Sequence, residues 1–314
     1  MKAHTDPRQS QGWGKYMQSI NWQVLSIKGR QIFIRKVPFL GFSVIKIQRP
    51  KNPLPFTEID LIAKKHRALF VNLEPHFDQH NEIVLKKHGF NLSNMILSHT
   101  STILIDLTQS EKQIWGSLSE NARRNIKKVQ SAECRVQSVY MKDQKDDTEF
   151  KKFFELLKNL SQYRKFYIPK YPEFLNKMLA FKTTSVLLFA YPSTNHMPAT
   201  RKPDNLTPIA AIWLAGYDDI IFYVQTGITN QGYKSLANYL LVWEGLKLAK
   251  KLGYKTWDFE GIFDPRFPKE REKWQGFSEF KQRFHGQIIH YPPSYIKIYN
   301  PFFQVIYWLS KILP

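Results

Sequence analysis

The segment "GFSEFKQRFHG" at 276–286 sets Lys281, Arg283 and His285 in alternation with Phe280, Gln282 and Phe284. Read at a strand's period of two, it has one mostly aromatic face and one basic face, a surface suited to an anion. "WDFEGI" at 257–262 places Asp258 and Glu260 at the same period on one face of a strand end. Either carboxylate there suits orientation of an attacking amine, and the structural alternative is a turn cap or an ion pair with Arg266. "SENARRNIKKVQ" at 119–130 carries Arg123 and Arg124, each followed four residues later by Lys127 and Lys128. Like charges at that spacing cost a helix roughly 0.2–0.5 kcal/mol per pair, so local folding does not account for them. Ile114, Leu118, Ala122, Ile126 and Val129 form the stripe that holds the helix down and leaves the cations outward. Nucleic-acid phosphate is the expected partner, against a merely solvated face. No His-x-x-x-His, paired-cysteine or carboxylate cluster argues for a metal, and no serine-histidine-aspartate triad assembles from local sequence.

The elements that position these residues follow from the whole chain. Its 46 Lys plus Arg against 26 Asp plus Glu leave a net charge of +20, a field that draws nucleic acid, anionic lipid or a phosphorylated substrate, unless the charge reflects only a generally basic proteome. Chain length and apolar content suit one large core or two ordinary ones, and two domains are expected. A single cysteine, Cys134, excludes an internal disulfide; flanked by Glu133 and Arg135 in an expected strand, it is not read as a nucleophile. The N-terminus has no apolar core or small-residue cleavage site, and no apolar run approaches the ~18 residues that span a bilayer, so a cytoplasmic protein is expected. The closing "YNPFFQVIYWLSKILP" reads as a terminal packing helix or as a segment lying in a membrane interface.

Two rounds of mixed α and β follow one another. The first has strands "WQVLSI", "QIFIRKV", "FSVIKIQRP" and "LFVNLEPH", with a helix at "TEIDLIAKKHRAL", then strand "TSTILIDL" and a helix from Ser110 or Glu111. A charged break, "MKDQKDDTE" at 141–149, suggests the boundary, giving domains 1–145 and 146–291. The second round holds a helix at "FKKFFELLKNLSQYRKF", strands "SVLLFAY", "TPIAAIWLAGY" and "DIIFYVQTG", one helix over 232–252, and strand "KTWDFEG". Residues 192–208, with four prolines, read as an extended loop. In the helix, Leu236, Tyr239, Leu240, Trp243, Leu246 and Ala249 share a face, and Gly253 caps its end. Lys250, Lys251 and Lys255 form a further basic cluster; in "RFPKEREKW", Lys269, Arg271 and Lys273 are diluted by Glu270 and Glu272.

This order of elements resembles that of a GNAT-type acyltransferase domain. Moreover, "IDLTQSEKQIWGSLSENARRNIKKVQ", "NYLLVWEGLKLAKKLGYKTWDFEGI" and "WQGFSEFKQRFHG" resemble the Fem aminoacyltransferase family, enzymes that build peptidoglycan interpeptide bridges from aminoacyl-tRNA, and both chain ends are similar as well. The resemblance implies an α/β fold of two GNAT-like domains, each a mixed, mostly antiparallel sheet flanked by helices, with residues 292–314 returning to the first. It implies aminoacyl-tRNA as co-substrate, no other cofactor, and a lipid-linked or nucleotide-linked peptidoglycan precursor as acceptor. By the same resemblance Phe280 and Lys281 fall on the family's transfer motif, with Lys281 handling the ester end of aminoacyl-tRNA, and His285 stands where the family has glycine. "YRKFYIPKY" at 163–171 falls where the family reads its precursor, so Arg164, Tyr167 and Tyr171, beside Lys165 and Lys170, are expected on the acceptor, together with Tyr239 and Arg283; an aromatic corner of the core is the other account of these tyrosines. A monomer with peripheral contact to the inner membrane surface completes the expectation.

An acyl-CoA-dependent domain needs a Q/R-x-x-G-x-G/A loop whose amides cradle a pyrophosphate. "GITNQGYKSLAN" has Gly232 but lacks the second small residue at the needed spacing, with Lys234 and Ser235 where a close backbone approach is wanted, which argues for another acyl donor. An acyl-CoA N-acyltransferase and a non-catalytic tRNA or membrane-surface module are the alternative readings.

Overall fold

The protein divides into two units, residues 1–100 with 289–314, and residues 101–288. The computed structural model describes residues 6–77, 81–193, 207–268 and 272–312; most of the connector read over 192–208, and Lys269 and Arg271, lie outside them. The strands are β1 Gln23–Ile27, β2 Arg30–Lys36, β3 Ser43–Gln48, β4 Ala68–Glu74, β5 Asn91–Ser93, β6 Ser101–Asp106, β7 Arg135–Tyr140, β8 Ser185–Tyr191, β9 Ala210–Tyr217, β10 Ile220–Ile228, β11 Thr256–Asp258, β12 Gln287–His290 and β13 Ser294–Ile298. The α-helices are α1 Gln11–Ser19, α2 Phe56–Lys65, α3 Glu82–Lys87, α4 Glu111–Ser117, α5 Glu120–Ser131, α6 Thr148–Arg164, α7 Tyr171–Ala180, α8 Asn230–Lys234, α9 Ala237–Lys251, α10 Gln275–Gln282 and α11 Pro301–Ile312.

In the first unit the strand order is β1-β2-β3-β4-β13-β5. β1, β2 and β3 are antiparallel neighbours, β3 and β4 run parallel with α2 between them, and β13 is antiparallel to both β4 and β5. Alternate residues Ile32, Ile34, Ile45, Ile47, Val71, Leu73 and Tyr295 build its core, with Ile59 and Ala63 of α2 packed on them. The second sheet runs β12-β6-β11-β10-β9-β8-β7. β8, β9 and β10 form an antiparallel meander, and β10 is parallel to β11 across α8 and α9. Each unit therefore carries one parallel pair bridged by helix, set in an otherwise antiparallel sheet.

The boundary falls at residue 100, and not near 145. Composition marked the charged stretch as a linker, yet β6 pairs with β11 and β7 pairs along its length with β8, so 101–140 is inseparable from the second sheet. The acidic residues expected to break the chain instead begin α6, with Asp147 and Glu149 bound to Lys151 and Lys152 at 2.8 and 2.6 Å; negative charge is favoured at a helix start.

The helix read over 232–252 is interrupted. Leu236, at φ +61°, separates α8 from α9. The face of α9 is as its spacing requires: Tyr239, Leu240, Trp243, Leu246 and Ala249 are buried, and Gly245 lets Trp257 come within 2.9 Å of where a Cβ would sit. Beyond α9, Gly253 at φ +88° bonds the Lys250 carbonyl while the Tyr254 amide reaches Ala249 O at 3.1 Å. This closes the helix in a Schellman turn. Open space surrounds Gly253, so Gly253→Ala tests the backbone alone: we expect a loss of about 1–2 kcal/mol by urea denaturation, and a smaller loss for Gly253→Asn.

Candidate active site

The parallel strands β10 and β11 stay in register only from Ile220 opposite Thr256 to Phe222 opposite Asp258, and β10 is bulged between Tyr223 and Gln225. Beyond Asp258 the chain bows away from β6. Phe259 N still reaches Ile103 O, and Ile262 N reaches Ser101 O, both at 3.0 Å, but Glu260 between them is left-handed at φ +57°. The carbonyls of Phe259 and Gly261 accept instead from Lys281 Nζ, at 2.7 Å each. The break thus lies at the carboxyl end of a parallel pair, where α/β sheets admit ligands.

Lys281 arrives from a helix, not from the strand read over 276–286. α10 covers the first part of that segment, and the turn after it places His285 at φ +46°. The left-handed region favours glycine, which accounts for the glycine that the resemblance leads one to expect there. Alternation misled because Phe277, Phe280 and Phe284 also fit a helical spacing, the signal that would have found the helix. Lys281 and Ser278 are the buried residues of α10; Ser278 Oγ accepts from Phe263 N at 2.7 Å and donates to Trp274 O at 2.6 Å, fixing the helix against the bowed segment.

Burial pulls the Lys281 pKa down to about 8, while the charges of Glu260 and Asp258 oppose the shift. The ammonium also lies 4.9 Å from the Phe277 ring centroid and 5.6 Å from that of Tyr223. Two of its three N–H donors are used by the carbonyls, leaving one for a ligand among the described residues. Asp258 is buried and accepts from Glu260 N at 2.6 Å and from the Thr102 hydroxyl. Glu260, half-buried and outside β11, does not share a strand face with Asp258, because its left-handed backbone breaks the alternation. The ion pair with Arg266 is made by Asp264, at 2.7 Å. Between the folded-state value near 8 and the ordinary 10.5 of lysine, the unfolded chain binds a proton that the folded one does not. This group alone therefore makes stability rise with pH through that window.

Beside Lys281, Phe280 meets Tyr239 edge-on at 5.0 Å and Phe284 at 5.4 Å. Arg283 donates to the Tyr239 hydroxyl and to Asn121 Oδ1, and its carbonyl accepts from Ser119 N at 2.9 Å, tying the start of α5 to the end of α10. Lys281, Phe280, Asp258, Glu260, Tyr239 and Arg283 are thereby brought together. Thr102, Asn121, Ser278 and Tyr223 escaped sequence reading, since ordinary polar and aromatic residues become visible only through their partners.

The cations of α5 separate into two kinds. Arg124, Lys127 and Lys128 are exposed, whereas Arg123 turns back to donate to the carbonyls of Gly116 and Leu118, at 2.9 and 2.5 Å, and so closes the end of α4. Arg164, at the end of α6, stacks on Tyr163 and Tyr233, at 5.3 and 5.2 Å. Tyr167 is exposed, and Tyr171 donates to Asp147 Oδ2 at 3.0 Å while packing on Phe154. Among the described residues no contact joins these three to the Lys281 cluster. Lys250 spends its charge on the carbonyls of Leu107 and Gln109, at 2.9 and 2.6 Å. Cys134 lies just before β7 and burial pushes its thiol up, away from nucleophilic chemistry.

Nothing in the stretch before α9 resembles a pyrophosphate cradle. α8 fills it, and Gly232 is required by protein packing, since a Cβ there would stand 2.3 Å from the Ile209 carbonyl oxygen.

No family model and no curated protein matches the sequence. Among solved structures, FemX superposes with a TM-score of 0.79 at 16% identity, over 96% of this chain and 94% of that one. The chain has the twin GNAT-like fold of FemX. L-PGS from Bacillus licheniformis matches with a TM-score of 0.59 at 11% identity, over 95% and 90% of the two chains. A tandem GNAT protein from the clavulanic acid biosynthesis pathway matches at 0.50 and 8% identity, over 88% and 82%. The agreement with FemX, spread over nearly the full length of both chains at so low an identity, is an agreement of fold. Gly232→Ala is expected to lower the urea midpoint by the equivalent of about 1–3 kcal/mol, the usual result of forcing a methyl against a fixed carbonyl; an unchanged midpoint would mean that this loop has room for a ligand.

Proposed function

We propose that the second unit transfers an aminoacyl group from aminoacyl-tRNA to an amine of a peptidoglycan precursor stem peptide, as a cytoplasmic monomer without coenzyme A or metal. The observation that carries this reading is the Lys281 ammonium, buried at the strand break and holding two carbonyls with one donor left over. An aminoacyl ester is already activated, so attack by an amine requires placement of the two reactants and stabilisation of the oxyanion. The amine nitrogen adds to the ester carbonyl, the remaining N–H of Lys281 meets the oxygen that becomes negative, and collapse expels the ribose oxygen. Glu260 takes the proton from the attacking amine, and that proton ends on the departing hydroxyl. Asp258, committed to Glu260 N and Thr102, positions the turn. Phe280 and Tyr239 wall the site, and Arg283 fixes them.

The exposed Arg124, Lys127 and Lys128 meet tRNA phosphates, while Arg164, Tyr167 and Tyr171, flanked by Lys165 and Lys170, face the diphosphate and sugar of the acceptor. The filled stretch before α9 supports an ester donor over acyl-CoA.

The test is transfer of a labelled amino acid from charged total tRNA to lipid-linked or nucleotide-linked muropeptide. Wild type labels one of them, and Lys281→Met lowers the rate about hundredfold, the usual worth of an oxyanion donor, while tRNA binding persists. Because the protonated form of Lys281 acts, its contribution to the rate falls as pH rises through about 8. Stabilisation of the protein by coenzyme A, with no precursor labelled, would replace this reading by acyl-CoA chemistry.

A further inference from the structure

The first unit carries an apolar surface that its core does not use. The turn between β2 and β3, "VPFLG" at 37–41, presents Phe39 at 105% and Leu40 at 60% of full exposure. Phe39 holds φ +62°, an uncommon conformation for an aromatic residue, and Gly41 follows at φ +64°. The register of the sheet shows what else lies at this end. β2 finishes at Lys36, β3 begins at Ser43 opposite Ala68 of β4, and β13 ends with Ile298 opposite Phe70. The start of α11 therefore emerges at the same end as the turn, with Tyr299 N bonded to Leu69 O at 3.0 Å and Phe302 at 75% exposure.

α11 itself is two-faced. Phe303 stacks on Phe70 at 4.9 Å and the Tyr307 hydroxyl reaches Ser93, while Phe302, Val305, Ile306 and Leu309 form an exposed stripe at helical spacing. A solvated helix carries charge on that face, but Pro301–Ile312 contains no acidic residue. At twelve residues it is about 18 Å long, too short to cross a bilayer and long enough to lie in its surface.

Around the turn the charge is positive. Arg35 and Lys36 precede it, and Lys64, Lys65 and Arg67 close α2 beside Ser43. Lys65 and Lys36 both act on His66, which marks them as neighbours. The acidic Asp60 of α2 is bound to Lys297 at 2.7 Å.

We propose that the β2–β3 turn and the exposed stripe of α11 are a docking surface for an anionic membrane, with Phe39, Leu40 and Phe302 entering the headgroup boundary and the surrounding lysines and arginines meeting lipid phosphate. A basic collar around apolar residues complements an anionic bilayer, whereas a second copy of this chain, with its net charge of +20, would bring like charge to the same collar. The surface is independent of the proposed reaction, and so is its test.

Co-sedimentation of the full chain with vesicles of phosphatidylglycerol and phosphatidylcholine, and with phosphatidylcholine alone, reads the proposal. Binding is expected on the anionic vesicles. Phe39→Ser with Leu40→Ser, both exposed and so without effect on folding, should weaken it at least about tenfold, given the apolar area withdrawn; Phe302→Ser with Ile306→Ser should do likewise, and Lys36→Glu with Lys65→Glu should abolish it. Binding that ignores the apolar variants and follows net charge alone would overturn the proposal. So would absence of binding, or a concentration-dependent dimer that the Phe39→Ser and Leu40→Ser variant dissolves.

Discussion

Burial of one ammonium holds the second unit of this protein in shape. Lys281 takes a full charge out of water, which is costly unless every available partner is close. Two carbonyls at 2.7 Å, two aromatic rings and the nearby charges of Asp258 and Glu260 supply those partners. The carbonyls are free to do so because Glu260 turns left-handed and lifts the chain off β6. Bowed segment, lysine and helix α10 therefore stand or fall together at the point where the pairing of β10 with β11 ends.

The rest of the second unit aligns that arrangement. Ser278 fixes α10 to the bowed segment, Arg283 ties the end of α10 to Tyr239 and to the first turn of α5, and Gly245 brings α9 onto Trp257. The exposed cations of α5 thus sit on a helix whose first turn is bonded to the helix that carries Lys281. A polyanion held on α5 and an ester held at Lys281 would be registered to one another through a single short run of hydrogen bonds.

Much of this was legible in the sequence, for identifiable reasons. The hydrophobic periods of α5 and α9, the meander β8 to β10 and the cap at Gly253 come from local rules, and local rules held. Lys281 stood out by its motif, but its setting did not: an alternating cation and aromatic pattern fits strand and helix alike, and only burial against Phe259 and Gly261 decides between them. Arg123 reads like its neighbours, yet the open carbonyls at the end of α4 claim it. The domain boundary was misplaced because acidic residues that begin a helix have the same composition as those that fill a linker. Positive φ at Leu236 and Glu260 left no trace in residue type, since both positions are held by tertiary packing against the preference of the side chain.

The most direct measurement is the titration of the Lys281 ammonium itself, followed by nuclear magnetic resonance on protein labelled with nitrogen-15 at the lysine side chains and assigned with Lys281→Arg. A midpoint near 8, moving lower in Asp258→Asn as an attractive charge is removed, is the result predicted. A midpoint at lysine's ordinary 10.5, unmoved by Asp258→Asn, would place the ammonium in water and contradict the account at its centre.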